Sequence, residues 1–286
     1  MVTGARGQLG ADLQAQLDGA DVLAVSHAEL DITDSAAVDA AVVEFRPDVV
    51  INAAAYTAVD AAEEDEQQAY AVNATAPGLL AAALARRGGR LVQVSTDYVF
   101  AGDAETPYDV DDPTGPRSAY GRTKLAGEQA VRALLPDASW VVRTAWVYGA
   151  HGSNFVKTMA RLEGERETVS VVDDQRGSPT WSADLAAALI ELGRHSPAVP
   201  AGIYHCTNQG ETTWFGLSQA VFAELGADVG RVLPTTSQEF LRPAPRPAYS
   251  VLSARAWQSA GLAPLPHWRD ALGRAFAGAG KQLRGG

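Results

Sequence analysis

The stretch Gly4-Ala5-Arg6-Gly7-Gln8-Leu9-Gly10 carries three glycines at a spacing of three, directly behind the apolar piece Met1-Val2 and ahead of an apolar-periodic run. Glycines at a strand-to-helix turn let the backbone bend tightly and approach a bound pyrophosphate, which then rests on the helix amino terminus. Outward from this loop, residues 22–25, 48–52, 90–95 and 140–144 are apolar runs of strand length without the alternation of a half-exposed sheet. Such strands are buried on both faces, as in a parallel sheet covered by helices. Helical stretches are expected between them over residues 8–17, 34–46, 74–87 and 119–134, the second opened by Thr33-Asp34 and the third closed by Gly88-Gly89. The alternation predicts an α/β, Rossmann-type doubly wound parallel sheet with ligands at the carboxyl ends of its strands.

After Gly149 the rhythm loosens and prolines gather in Arg242-Pro243-Ala244-Pro245-Arg246-Pro247, a segment that fits no helix interior or central strand. We expect a dinucleotide-binding domain over 1–149. A smaller C-terminal substrate lobe is expected over 150–286, some of its segments returning to the first domain. Helices are expected near 154–162, 181–193, 213–225 and 267–277. The acidic run Glu63-Glu64-Asp65-Glu66 reads as a solvated helix start favoured by the helix dipole, with no metal assigned to it. Only Met1-Val2 precede Thr3-Gly4, whereas a central strand ordinarily has about five or six residues, so a start upstream of Met1 is expected.

The chain has 286 residues, 47% hydrophobic and 20% charged, enough for a sizeable core. Its net charge of −11, without a long basic block, disfavours a nucleic-acid or membrane-surface role. Cys206 is the only cysteine and the five histidines show no paired ligand spacing, which removes disulfide scaffolds and zinc motifs. No leader pattern opens the chain, and no run approaches the roughly 18–20 apolar residues of a membrane span, so a cytoplasmic location is expected.

A second motif joins the glycine loop. Tyr120-Gly121-Arg122-Thr123-Lys124 sets a phenol and an ammonium four residues apart, on one face of the helix expected there. Thr96 closes the run 90–95, at the carboxyl edge of the sheet. With these residues the chain resembles the extended short-chain dehydrogenase/reductase superfamily, and within it the dTDP-4-dehydrorhamnose reductase family. The likeness continues through Asn52-Ala53-Ala54-Ala55-Tyr56-Thr57-Ala58-Val59-Asp60, Ser95-Thr96-Asp97-Tyr98-Val99-Phe100, Arg143-Thr144-Ala145-Trp146-Val147-Tyr148, Asp173-Asp174-Gln175-Arg176-Gly177-Ser178-Pro179-Thr180 and Arg246-Pro247-Ala248-Tyr249-Ser250-Val251-Leu252.

The resemblance implies reduction of the C4 keto group of a dTDP-linked 6-deoxy-4-keto sugar. Tyr120 would protonate the carbonyl oxygen, Thr96 would hydrogen-bond to it, and Lys124 would hold the nicotinamide ribose and ease the phenolate. A lysine cation about 5 Å from the phenol is expected to lower its pKa by about two units. Gly4, Arg6, Gly7, Gln8, Leu9, Gly10, Ala53, Ala54 and Ala55 are expected at the cofactor, with Asp31 and Ile32 near its adenine; Asp31 as a helix cap is the alternative. Asp97 and Trp146 are expected at the sugar, with a capping aspartate and a core tryptophan as alternatives.

The resembling 4,6-dehydratases carry an aspartate-glutamate pair after the threonine; here Asp97-Tyr98 follows, which favours a simple reductase. A nucleotide-sugar epimerase and a catalytically silent NADP-binding subunit remain as alternatives. The second strand ends Ala24-Val25-Ser26-His27, where NAD sites usually place a carboxylate, and Arg6 is basic. NADPH is therefore expected, with NADH tolerated. Between Arg231 and Arg255 stand four arginines and a single acid, Glu239, and Arg246 is the expected ligand of the substrate's pyrophosphate. Asn154, Gln175 and Ser250 are further substrate candidates. Mg²⁺ and a homodimer enter by family resemblance alone.

Overall fold

The computed structural model describes residues 1–196 and 198–284; Pro197 and the last two residues of the expected C-terminal lobe lie outside it. The chain runs β1 (Val2–Thr3), α1 (Gln8–Gln16), β2 (Ala24–Val25), α2 (Ser35–Phe45), β3 (Val49–Asn52), α3 (Ala61–Glu64), α4 (Glu66–Tyr70), α5 (Ala76–Arg87), β4 (Arg90–Thr96), α6 (Ala119–Leu134) and β5 (Ser139–Thr144). It continues through β6 (Val147–Tyr148), α7 (Phe155–Glu165), β7 (Val169–Val172), β8 (Arg176–Gly177), β9 (Thr180–Trp181), α8 (Ser182–His195), β10 (Gly202–His205), β11 (Thr212–Thr213), α9 (Trp214–Glu224), β12 (Val232–Thr235), α10 (Arg255–Ser259) and α11 (Trp268–Leu283).

Six strands form a parallel sheet in the order β10-β5-β4-β3-β1-β2. The order reverses between β1 and β3, and this switch point is where a doubly wound sheet opens a crevice at the carboxyl ends. β1 is only two residues long yet bonds on both edges, Val2 pairing with Ala24 and with Ile51. Helices cover both faces. On one, Val38 and Val42 of α2, Leu80 and Leu84 of α5 and Val131 of α6 pack on Val50, Leu91 and Val141. On the other, Leu9 and Leu13 of α1, Leu185 and Leu189 of α8 and Trp257 of α10 pack on Ile51, Val92 and Val142. This double burial is why the strands read as continuous apolar runs.

A separate core gathers Val156 and Met159 of α7, Val221 and Phe222 of α9, and Leu272 and Phe276 of α11, closed by the parallel pair β7 and β12. The proline-rich segment at 242–247 lies outside helix and strand, as expected.

The acidic run stands at helix starts with Glu64, Asp65 and Glu66 exposed, as expected, and it has a further role. Asp65 caps α4 by accepting from Gln68 N–H, but Glu63 accepts from Ala119 N–H and Glu66 forms a two-pronged pair with Arg122. The run is therefore both a solvated helix start and a clamp on the start of α6. The helix expected over 74–87 likewise begins earlier, through a π-helical turn at Ala71–Thr75. Asn73 in that turn bonds both backbone groups of Tyr56 and donates to Thr123, tying the loop after β3 to α6.

Candidate active site

The glycine loop meets the end of β3 at close quarters. Gly4 has φ +73°, and a Cβ there would stand 2.7 Å from Ala54 N; a Cβ on Gly10 would stand 2.1 Å from Gly4 O. The first and third glycines are thus required by backbone packing, independently of any ligand. Gly7, the N-cap of α1, supplies no side-chain cap, which leaves the first-turn N–H groups of α1 free of a side-chain acceptor. Beneath the loop a buried polar row crosses three strands: Thr3 donates to Asn52 Oδ1, and Asn52 Nδ2 donates to Gln93 Oε1 at 2.7 Å.

A cavity of about 660 Å³ opens at the switch point. All of the expected cofactor residues line it: Gly4, Arg6, Gly7, Gln8, Leu9 and Gly10, then Asp31 and Ile32, Ala53 to Ala55, and Tyr120 with Lys124. Asp31 Oδ1 accepts from Thr33 N–H and Oγ1 and closes the turn ahead of α2, but the cap of α2 is Asp34, so the alternative of Asp31 as helix cap does not hold. One expectation about this end fails. The strand β2 does not end free of carboxylates, because Glu29 folds back and accepts from Ser26 N–H at 2.8 Å and Ser26 Oγ at 2.6 Å. Local sequence hid it because the acid stands four residues beyond the strand.

Thr96, Tyr120 and Lys124 converge where β4 meets α6. Ser118 and Glu63 cap α6 by accepting from Gly121 and Ala119 N–H, which fixes the turn that presents Tyr120. Lys124 is buried and donates to Val94 O at 2.7 Å. Burial lowers its pKa to about 8, opposed by the nearby Glu128 carboxylate. Glu128 is itself shared by a buried two-pronged pair with Arg143 and by Ser95 Oγ. The phenol departs from expectation: burial pushes Tyr120 up to about 12, against a lowering by Thr96, and Lys124 does not figure among the groups that shift it. Desolvation of the phenolate sets the direction of the shift, and the nearby Asp97 carboxylate adds to it. Thr96 Oγ1 donates to Asp97 Oδ1 at 2.9 Å and accepts from Tyr98 N–H. The cap of the short 3₁₀ turn after β4 is therefore Thr96, not Asp97.

Asp97 and Trp146 also line the cavity. Burial raises the Asp97 pKa to about 6; Ser250 and Thr96 oppose the rise. Asp97 Oδ2 and Ser250 Oγ are each buried without a hydrogen-bond partner within 3.5 Å. Trp146 has φ +49°, sparsely populated for a residue with a side chain, and stacks on Trp214 with centroids 3.6 Å apart. It serves as cavity wall and as packing at once.

The other substrate candidates do not line the cavity. Asn154 caps α7 and donates to Gln8 Oε1 and Gly149 O. Gln175 accepts from Trp214 Nε1 and donates to Ser237, holding the tryptophan stack from behind. Arg246 pairs with Asp60 at 2.9 Å, beside a small second recess that Tyr98 shares with the main cavity. Sequence reasoning passed over Tyr98, whose ring meets Tyr120 edge-on at 5.5 Å, and Thr144, whose buried Oγ1 lacks a partner at the cavity wall. Their only signal was membership of the Ser95–Phe100 and Arg143–Tyr148 blocks. Among the described residues no group of three or more His, Cys, Asp or Glu could hold a metal ion. No described helix is long and apolar enough to cross a membrane.

A glycine loop at the switch point of a parallel sheet, with a threonine, tyrosine and lysine at the carboxyl edge beside it, defines a dinucleotide-binding protein of the short-chain dehydrogenase/reductase type. The chain belongs to the family described as the RmlD substrate binding domain, whose model matches residues 1–280. It is 56% identical to a dTDP-4-dehydrorhamnose reductase of Streptomyces griseus, over 96% of this chain and 92% of that protein. It is also 56% identical to a probable dTDP-4,6-dihydroxy-2-methyloxan-3-one 4-ketoreductase of Streptomyces antibioticus, over 96% and 94%. The crystal structure of a dTDP-4-dehydrorhamnose reductase from Bacillus anthracis in complex with NADP superposes with a TM-score of 0.93 at 41% identity, covering 97% of this chain and 98% of that one.

Proposed function

We propose that this chain reduces the C4 keto group of dTDP-4-dehydro-L-rhamnose to give dTDP-L-rhamnose, with NADPH as the preferred reductant and NADH tolerated. The observation that carries this reading is the meeting of Thr96, Tyr120 and Lys124 in the same cavity as the glycine loop. Gly4 to Gly10 with the amino terminus of α1 would hold the pyrophosphate, Asp31 and Ile32 the adenine, and Lys124 the nicotinamide ribose. When bound, the reduced nicotinamide supplies the hydride.

At neutral pH a phenol with a pKa of about 12 is fully protonated, which is the state a proton donor must start from. Tyr120 Oη gives its proton to the C4 oxygen, since the forming alkoxide is a stronger base than a phenolate. Lys124, with a pKa of about 8, is still mostly cationic and stabilises the phenolate left behind. Thr96 assists by turning its hydroxyl from Asp97 towards the same oxygen. Asp97 Oδ2, buried and unpaired, is the acceptor for a sugar hydroxyl. Trp146, backed by its stack on Trp214, would give the sugar an apolar wall.

We place the protein in the cytoplasm, a reading supported by the absence of a membrane-spanning helix among the described residues. The test is purified protein with NADPH and the 4-keto sugar nucleotide, following absorbance and product together. Stoichiometric NADPH loss with appearance of the 4-hydroxy sugar is expected. Turnover without net NADPH loss would make it an epimerase, and NADP binding without turnover a silent subunit. Because the two Streptomyces relatives stand at equal identity under different sugar names, dTDP-linked 4-keto sugars differing at other ring carbons form the second arm; a higher kcat/KM for one of them would replace the rhamnose assignment.

A further inference from the structure

The geometry points to Glu29 as a residue that sets the preference between NADPH and NADH. Its carboxylate occupies, from within the chain, the two Ser26 donors that a phosphate on the adenosine 2′-oxygen would take. The inference rests on the reading above that the adenosine ribose lies at the end of β2 beside Arg6.

Ser26 directly follows β2, is 6% exposed and lines the cavity, as do His27 and Arg6. Its N–H and Oγ both donate to the same oxygen, Glu29 Oε2, and its carbonyl accepts from Glu29 and Leu30 N–H. Those bonds close a tight turn, and they hold the Glu29 carboxyl below the ordinary carboxylate range, with the Arg6 guanidinium close enough to contribute. Glu29 is therefore an anion at neutral pH, seated on donors next to a cation, which is the recognition chemistry of a phosphate. A 2′-phosphate and the Glu29 carboxylate cannot both use these donors, and as like charges they repel. NADPH must therefore displace Glu29, and the exposed side chain can rotate out without disturbing the core. NADH has no such conflict, since its 2′-hydroxyl can donate to the carboxylate as it does to the acid that ends the second strand in NAD sites. The same arrangement accounts for a site that takes both cofactors.

Ser26 and Glu29 also satisfy one another as a reciprocal cap of the turn. A purely structural cap would change both cofactors alike, and this separates the two roles. The experiment measures kcat and KM with NADPH and with NADH for the full chain, for Glu29→Gln and for Arg6→Ala. Glu29→Gln is expected to raise the NADPH-over-NADH ratio of kcat/KM by about tenfold, chiefly through the NADPH KM. A ratio within twofold of the starting protein overturns the inference. Arg6→Ala is expected to lower that ratio by a similar factor. If Arg6→Ala discriminates and Glu29→Gln does not, the ribose reading stands and the Glu29 role fails. If neither variant changes the ratio, the ribose reading fails and the Glu29 role with it; if Glu29→Gln alone changes it, the Glu29 role stands and Arg6 is not a partner of the 2′-phosphate.

Discussion

The cofactor end and the sugar end of the cavity are built by different means. At the cofactor end the wall is mostly backbone: the glycine loop, the end of β3 and the start of α1, held by contacts such as Gly10 against Gly4 O. At the sugar end it is side chains from β4, α6 and the loops beyond β5, whose direction depends on partners far along the chain. Every cofactor residue expected from sequence lines the cavity. Of the expected substrate residues only Thr96, Asp97 and Trp146 do. A backbone cradle is specified by a short motif, whereas a side-chain wall is specified by whatever the folded chain places opposite it.

The sharpest way to test that contrast is at the seam between the two ends. Tyr120→Phe removes the proton donor and keeps the ring, so kcat should fall by about 10²–10⁴-fold while NADPH affinity, measured by fluorescence titration, stays near its starting value. Equal losses of both would mean that the phenol also shapes the cofactor cradle. Asp97 comes next. Its folded pKa of about 6 exceeds the usual 3.8, so the folded state binds this proton more tightly than the unfolded chain. The stability it contributes is full below about pH 3.8 and is lost as pH rises through about 6. Asp97→Asn should therefore be more stable than the parent above pH 6, by about 3 kcal/mol, with the gap closing as pH falls towards 4 in urea melts.

Gly10→Ala tests the backbone end. Its added Cβ meets Gly4 O, so a loss of about 1–3 kcal/mol in stability and a weaker grip on either cofactor are expected, with the sugar KM little changed. Trp214→Ala is the corresponding change at the side-chain end. Loss of the stack frees Trp146 and should raise the sugar-nucleotide KM by about two- to tenfold without altering cofactor binding. The smallest effect belongs to Arg246 and Asp60, a partly exposed pair whose removal should cost under about 1 kcal/mol of stability. Here kinetics decides. If Arg246 leaves Asp60 for the substrate pyrophosphate, Arg246→Ala raises the sugar-nucleotide KM and Asp60→Asn lowers it; unchanged values in both would confine Arg246 to a tie between Asp60 and the proline-rich segment.

Legibility followed the range of the interactions. The strands ending at Asn52, Thr96 and Thr144 and the helix carrying Tyr120 and Lys124 were readable because double burial and capping leave marks within a dozen residues. The Ala71–Thr75 π-turn and the role of Glu63 were not, because both depend on α6, which lies about fifty residues further along. The sign of the Tyr120 shift was also missed. Spacing shows that Lys124 is near, but not how much solvent both groups have lost.

By itself the sequence determined the doubly wound sheet, the glycine cradle and the tyrosine-lysine pair, because each follows from local backbone rules and periodic burial. Only the tertiary structure decided that Glu29 returns to Ser26, that Arg246 faces Asp60, and that Trp146 leans on Trp214. A long polar or aromatic side chain has many directions open to it, and which one it takes is fixed by the hydrogen bond or stacking partner that folding brings within reach.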